Sequence, residues 1–259
     1  MQDSKGMTQM RIGLAVTKVT RNTGRNLHAM LEFIDEAARN EADLVLFGEA
    51  APTGLINNDD PCHDTAIAEP VPGGPTMNTL AQAAINAGIY VGTGILEKDG
   101  KCLYDTAVLI NPEGRVILKY RRISPGWHGP NIDLSVYGHG ESIPRVETPL
   151  GSFAFLICGD LFDYGLVEKV TALDVDWLLF PFARCFNDGS YDQKRWDEEE
   201  RAEYAEYAAK TGAVCLMVNY LSEKELDGGS FGGGMIVGRD GSILAEIPLG
   251  KPGLHLFDV

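Results

Sequence analysis

The chain has 259 residues, 22 Lys plus Arg against 37 Asp plus Glu, and a formal net charge of −15. That acidity opposes binding to a nucleic-acid backbone, which needs a basic patch. No stretch approaches the roughly 18 apolar residues of a membrane span.

Hydrophobic residues make up 44% of the chain. At this length a folded domain buries about 70–75% of its unfolded surface, enough for a full core without staples. Met1–Met10 is polar and lacks the apolar core of an export signal, so residues 1–10 are expected to be a disordered extension and 11–259 a single domain. The five cysteines (Cys62, Cys102, Cys158, Cys185, Cys215) are odd in number and widely spaced. They are expected to be free thiols in a reducing, cytoplasmic setting.

Arg11–Thr17 is a short apolar run and predicts a buried strand. Asn26–Asn40 sets Leu27, Met30, Leu31, Ile34, Ala37 and Ala38 at helical spacing. Asp43–Phe47 predicts a second strand that ends at Gly48-Glu49, and residues 50–64 form a loop rich in Pro, Gly, Asn and Asp. Gly73-Gly-Pro75 opens a helix that Gly88 closes. Ile89–Leu96 and Leu103–Ile110 flank the hairpin signal Asp99-Gly100, and Asn111-Pro-Glu-Gly114 turns into a strand at Arg115–Tyr120.

Residues 121–142 are a long irregular stretch with Pro, Gly, His and Trp, and loops of that length in compact domains often carry function. Gly151–Cys158 and Asp176–Phe180 predict strands. Asp192–Lys210 predicts one helix with a solvated acid cluster, Asp197–Glu200, in its first turns. Four more strands are expected at Ala213–Asn219, Gly234–Gly238, Ile243–Glu246 and Leu254–Asp258. The alternation of strands and helices implies an α/β domain with sheets covered by helices.

Chemistry-bearing patterns are sparse. His28, His63, His128, His139 and His255 share no metal-ligand spacing with each other or with cysteine, so no metal is expected. Gly228-Gly-Ser-Phe-Gly232 matches a nucleophile-elbow pattern, but the residues after it predict a strand and hairpin rather than a helix, so it reads as a glycine-rich loop. Cys158 ends an apolar strand and precedes Gly159-Asp160. Glu49 and Arg122 also come directly after strands. In α/β folds ligands bind beyond the carboxyl ends of strands, and a thiol, a carboxylate and a cation gathered there suit acyl chemistry. A cysteine at a strand end is also an ordinary core residue.

These segments taken in order resemble the nitrilase superfamily of carbon–nitrogen hydrolases. The similarity runs from Arg11 to Asp258. It is carried by Glu49-Ala-Ala-Pro-Thr-Gly54, Val71-Pro-Gly-Gly-Pro75, the hairpin from Leu103 to Arg122, Ile157-Cys-Gly-Asp160, Phe231-Gly-Gly-Gly-Met235 and Asp240-Gly241. The resemblance implies a four-layer α-β-β-α sandwich of two mixed sheets. It also implies a homodimer or larger assembly, no cofactor, and a Glu-Lys-Cys triad. By motif position the glutamate is Glu49 and the nucleophile Cys158, while the lysine position is occupied by Arg122, with Lys119 three residues earlier. A second pocket carboxylate falls on Asp133 and the oxyanion donor on the Gly159 N–H. Phe182, just past the strand at Asp176–Phe180, either lines the pocket or packs in the core. Trp127 and His128 are either a cap on the pocket or a surface turn.

Arginine is always protonated at neutral pH, so it holds charge but cannot shuttle protons. The expected function is cysteine-dependent hydrolysis of a small non-peptide amide through a thioester. The alternative is a catalytically impaired relative that binds a small ligand or a partner.

Overall fold

The computed structural model describes residues 9–55 and 60–259. Its principal elements are β1 (Arg11–Val16), α1 (Thr23–Arg39), β2 (Leu44–Phe47), α2 (Pro61–Ile67), α3 (Pro75–Ala87), β3 (Tyr90–Asp99), β4 (Cys102–Ile110), β5 (Val116–Arg121), β6 (Val146–Thr148), β7 (Gly151–Phe155), α4 (Tyr164–Leu173), β8 (Trp177–Phe182), α5 (Arg201–Lys210), β9 (Val214–Asn219), β10 (Gly234–Val237), β11 (Ile243–Ile247) and β12 (Gly253–Asp258). One six-stranded sheet runs β12-β1-β2-β3-β4-β5 and the other β11-β10-β9-β8-β7-β6. In each, three central strands are parallel and the flanking pairs are antiparallel.

The period-two alternation of strands explains the layering. In β2, Leu44 and Leu46 point to the inter-sheet core with Ile12, Leu14, Phe155 and Leu179. Val45 and Phe47 point the other way, onto Met30, Ile34, Met77 and Leu80 of α1 and α3. Helices α4 and α5 cover the outer face of the second sheet through Leu166, Val170, Tyr204 and Ala208. The result is the expected helix–sheet–sheet–helix sandwich.

Several boundaries differ from the sequence reading, each for a local reason. Helix α1 starts three residues early because the Asn22 side chain accepts from Arg25 N, a cap that fixes the first turn. Part of the expected 50–64 loop is helical: Asp60 caps α2 by accepting from Cys62 N, while residues 56–59 lie outside the described residues. The helix α4, which periodicity leaves unassigned, is capped by Asp163.

The expected helix over 192–210 is broken. A π-turn at Trp196–Glu200 precedes α5, and Glu200 is not a solvated acid: it accepts from Arg184 Nε at 2.9 Å. Of the expected extension, residues 1–8 lie outside the described residues. Met10, however, is fully buried and exchanges two backbone hydrogen bonds with Val259, so the ordered fold begins before Arg11. Among the described residues no helix is long and apolar enough to cross a membrane.

Candidate active site

Three strand ends converge on one buried cluster. The first is the end of β2, where Gly48 leads to Glu49, whose carboxyl is fully buried. The chain passes so close to β3 there that a Cβ on Gly94 would lie 2.4 Å from Ala50 N and 2.6 Å from Glu49 Cα. Only glycine at 94 admits that approach.

The second is the end of β5. Alternation puts Tyr120 and Arg122 on the inward face and Lys119 and Arg121 on the other. Both outward cations bind the buried carboxylate of Glu97, Lys119 Nζ at 2.8 Å and Arg121 Nη2 at 2.7 Å. The candidate cation of the site is therefore Arg122 and not Lys119. Its Nη1 donates to Glu49 Oε1 at 2.9 Å, its Nε to Ser124 Oγ at 3.1 Å and its Nη2 to the Pro125 carbonyl at 3.3 Å.

The third is the end of β7. The strand stops at Phe155, three residues before its expected end, and Cys158 opens a 3-10 turn with φ +46°. That is a left-handed conformation costly for a residue with a side chain. The turn is held by Asp160. Its buried carboxylate accepts from Ile157 N (3.0 Å), Ile123 N (3.2 Å), Ser124 N (2.7 Å) and the Tyr120 hydroxyl (2.7 Å). One side chain thereby ties the cysteine turn to the segment that carries Arg122. Cys158 Sγ lies 3.7 Å from the carbonyl of Ala183, just beyond β8.

The electrostatics arise from this burial. Desolvation, and then the neighbouring Cys158, push the Glu49 carboxyl from 4.5 up to about 8, against the pull of the Arg122 charge. Burial opposes the charge on Arg122, but the surrounding Cys158, Glu49, Asp105 and Asp160 outweigh it, so the guanidinium is held above its ordinary value. The group stays cationic at any working pH.

The expected residues divide cleanly. Glu49, Arg122, Cys158 and Gly159 meet: a Cβ on Gly159 would lie 2.7 Å from Arg122 Nη2. Asp133 does not join them. It is exposed on the 121–142 loop, where its side chain turns back to Ser135 N at 2.9 Å. The second carboxylate at Arg122 is Asp105, with Oδ2 3.6 Å from Nη1. The hairpin register decides this, because Arg122 N bonds to the Asp105 carbonyl across β4 and β5.

Phe182 is 1% exposed and packs on Phe180 and on Tyr204 of α5, between the second sheet and its covering helix. Trp127 is buried in a satellite cluster with Tyr137 and Leu103, not on a surface turn. His128 lies beside it, with Nε2 3.1 Å from His139 Nε2. Ser230 precedes no helix: the chain runs on into β10 as a glycine-rich loop. No group of three or more His, Cys, Asp or Glu among the described residues is arranged to hold a metal.

Sequence pattern alone does not single out Asp105 or Asp160. A lone aspartate inside the apolar β4 run, opposite Arg122 in the hairpin, is the available signal for the first.

Comparison with known proteins places this arrangement. The chain is 31% identical to nitrilase 2 of Arabidopsis thaliana over 159 residues, covering 54% of this chain and 45% of that enzyme. It is 27% identical to an omega-amidase of Xenopus tropicalis over 208 residues, covering 76% of this chain and 70% of that one. The chain thus spans about half the length of the first of these relatives. Among solved structures, a mutant amidase from Nesterenkonia sp. AN1 superposes with a TM-score of 0.78 at 21% identity, covering 96% of this chain and 93% of the amidase. That likeness speaks for the shared fold. The family described as carbon-nitrogen hydrolase matches residues 6–259, a span that includes all three strand ends of the buried cluster, and on that match the chain belongs to the carbon–nitrogen hydrolase family.

Proposed function

We propose that the protein is a cysteine-dependent hydrolase of non-peptide C–N bonds acting on a small amide. The observation that carries this reading is the buried meeting of Glu49 and Arg122, 2.9 Å apart, with the turn of Cys158-Gly159 packed directly against the guanidinium. Glu49 takes the thiol proton of Cys158 as general base. The thiolate attacks the amide carbon, and the carbonyl electron pair moves onto oxygen. The Gly159 N–H and the fixed charge of Arg122 hold that oxyanion. The intermediate collapses, the C–N bond breaks, and the leaving amine takes its proton from Glu49. Water then gives a proton to Glu49 and attacks the thioester, releasing the acid and restoring the thiol.

The solved amidase in which acrylamide is joined to the active-site cysteine supports thiol chemistry in this fold. The substrate, a small-molecule amide, and a homo-oligomeric assembly belong to the same proposal.

One observation favours a second reading. Arg122 cannot give up a proton, so every proton transfer falls to Glu49. A relative that binds its ligand without turning it over fits that restriction. Intact-mass measurement with a panel of small amides separates the two. An acyl adduct on Cys158 together with released ammonia supports the hydrolase; ligand binding without adduct or product supports the alternative.

A further inference from the structure

Glu49 Oε2 and both carboxyl oxygens of Asp105 are buried, and among the described residues none of these atoms has a hydrogen-bond donor within reach. The two side chains share one cation. Arg122 Nη1 is 2.9 Å from Glu49 Oε1 and 3.6 Å from Asp105 Oδ2, so Glu49 takes the direct bond and Asp105 does not. Asp160 shows the contrast: equally buried, it accepts from four donors. An ionised carboxylate without donors, buried beside a second carboxylate, carries a heavy desolvation and repulsion cost. A single proton held between the two groups removes that cost.

We infer that Asp105 keeps its proton at neutral pH and donates it as a hydrogen bond to Glu49, which makes Asp105 a positioning residue for the general base. Arg122 fixes where the charge goes: the carboxyl it bonds directly becomes the anion, and the more distant one stays neutral. The inference rests on the hydrolase reading only for its consequence in turnover. Burial and the charge of Glu49 both push Asp105 well above the ordinary carboxyl range, and the bond from Asp105 pulls Glu49 down. Without that bond Glu49 is a weaker candidate to begin the cycle ionised. With Asp105 holding its own proton and Arg122 unable to release one, the proton that moves in the reaction is the one that passes between Cys158 and Glu49.

The test is infrared spectroscopy of the intact protein at neutral pH, with aspartate or glutamate labelled by carbon-13 at the side-chain carboxyl. The expected result is a protonated-carboxyl C=O band that shifts on aspartate labelling and disappears in Asp105→Asn. No such band in the aspartate-labelled protein, or a band that survives in Asp105→Asn, overturns the inference. The labelled wild-type protein answers the question even if the variant does not fold.

A second readout is the pH dependence of iodoacetamide labelling at Cys158. Asp105→Ala removes the donor, changes the charge on Glu49 beside the thiol, and is expected to displace the labelling profile by roughly one pH unit. Asp105→Asn keeps a donor and is expected to move it less. Equal shifts in the two variants count against the inference. Neither readout requires turnover, so an inactive enzyme with the aspartate band present would reject the hydrolase reading and leave this one standing.

Discussion

The guanidinium of Arg122 occupies the space that a side chain at position 159 would fill: a Cβ built on Gly159 falls 2.7 Å from Nη2 and 3.2 Å from Ser124 Oγ. Arginine is longer than lysine and ends in a plane instead of a point. Its fit in this site depends on the bare backbone after the cysteine.

Gly159→Ala is therefore expected to displace the guanidinium from Glu49. Neither neighbour is a free chain end, since Arg122 is pinned by four polar contacts. The strain of overpacking is expected to cost about 1–3 kcal/mol, read from denaturant midpoints. Paired with Arg122→Lys, the same substitution should cost less than alone, because lysine withdraws the clashing nitrogens. An additive double mutant would contradict this coupling.

Removing the cation altogether is expected to be worse. Arg122→Ala leaves the buried Glu49 uncompensated, a loss of roughly 3–5 kcal/mol against about 0.5 for a surface change. Arg122→Lys keeps the charge and should unfold much closer to wild type. A lysine there can exchange protons where arginine cannot, so turnover is also expected to rise. Chemical denaturation and an amide-hydrolysis assay on the same two variants check both halves.

Cys158 is expected to be the nucleophile. Cys158→Ala should lower turnover on the order of 10⁴-fold or more, as loss of a nucleophile does elsewhere, with little change in folding, because the residue is only partly buried. Iodoacetamide should label Cys158 ahead of Cys215, which is fully buried and whose thiol lies far above its usual range. Uniform labelling of all five cysteines would argue against an activated thiol.

Stability should depend on pH through the proton held by the buried Glu49–Asp105 pair. Burial pushes the Glu49 carboxyl from 4.5 up to about 8, so the folded pair holds a proton more tightly than the unfolded chain does. The contribution is fully present below about pH 4.5 and is lost as pH climbs through about 8. Asp105 shifts in the same direction. Thermal melts across that window should show stability falling with rising pH, and Glu49→Gln should flatten the slope. A wild-type slope of opposite sign that disappears in the glutamine variant would mean that the Glu49–Asp105 pair holds no extra proton in the fold.

Much of the architecture is written in local pattern. The strands expected at Asp43–Phe47 and Asp176–Phe180, the helix from Pro75 to its glycine stop at Gly88, and the hairpin turned at 111–114 are all found within two residues of those bounds, because periodicity and turn chemistry act over a few residues. The same hairpin carries Arg122 to the site, and motif order places Glu49 and Cys158 opposite it. The tertiary structure alone decided which carboxylate serves Arg122. Asp133 sits in a loop with no strand to fix its register and turns outward onto Ser135, whereas Asp105 is delivered by strand pairing 17 residues away from its partner in the chain. It also decided that Lys119 serves Glu97, since strand alternation turns adjacent cations to opposite faces. The reach of Asp160, which joins the Cys158 turn to Tyr120, Ile123 and Ser124, was equally invisible beforehand. A buried carboxylate goes wherever donors converge, and those donors come from two sheets that meet only once the sandwich has closed.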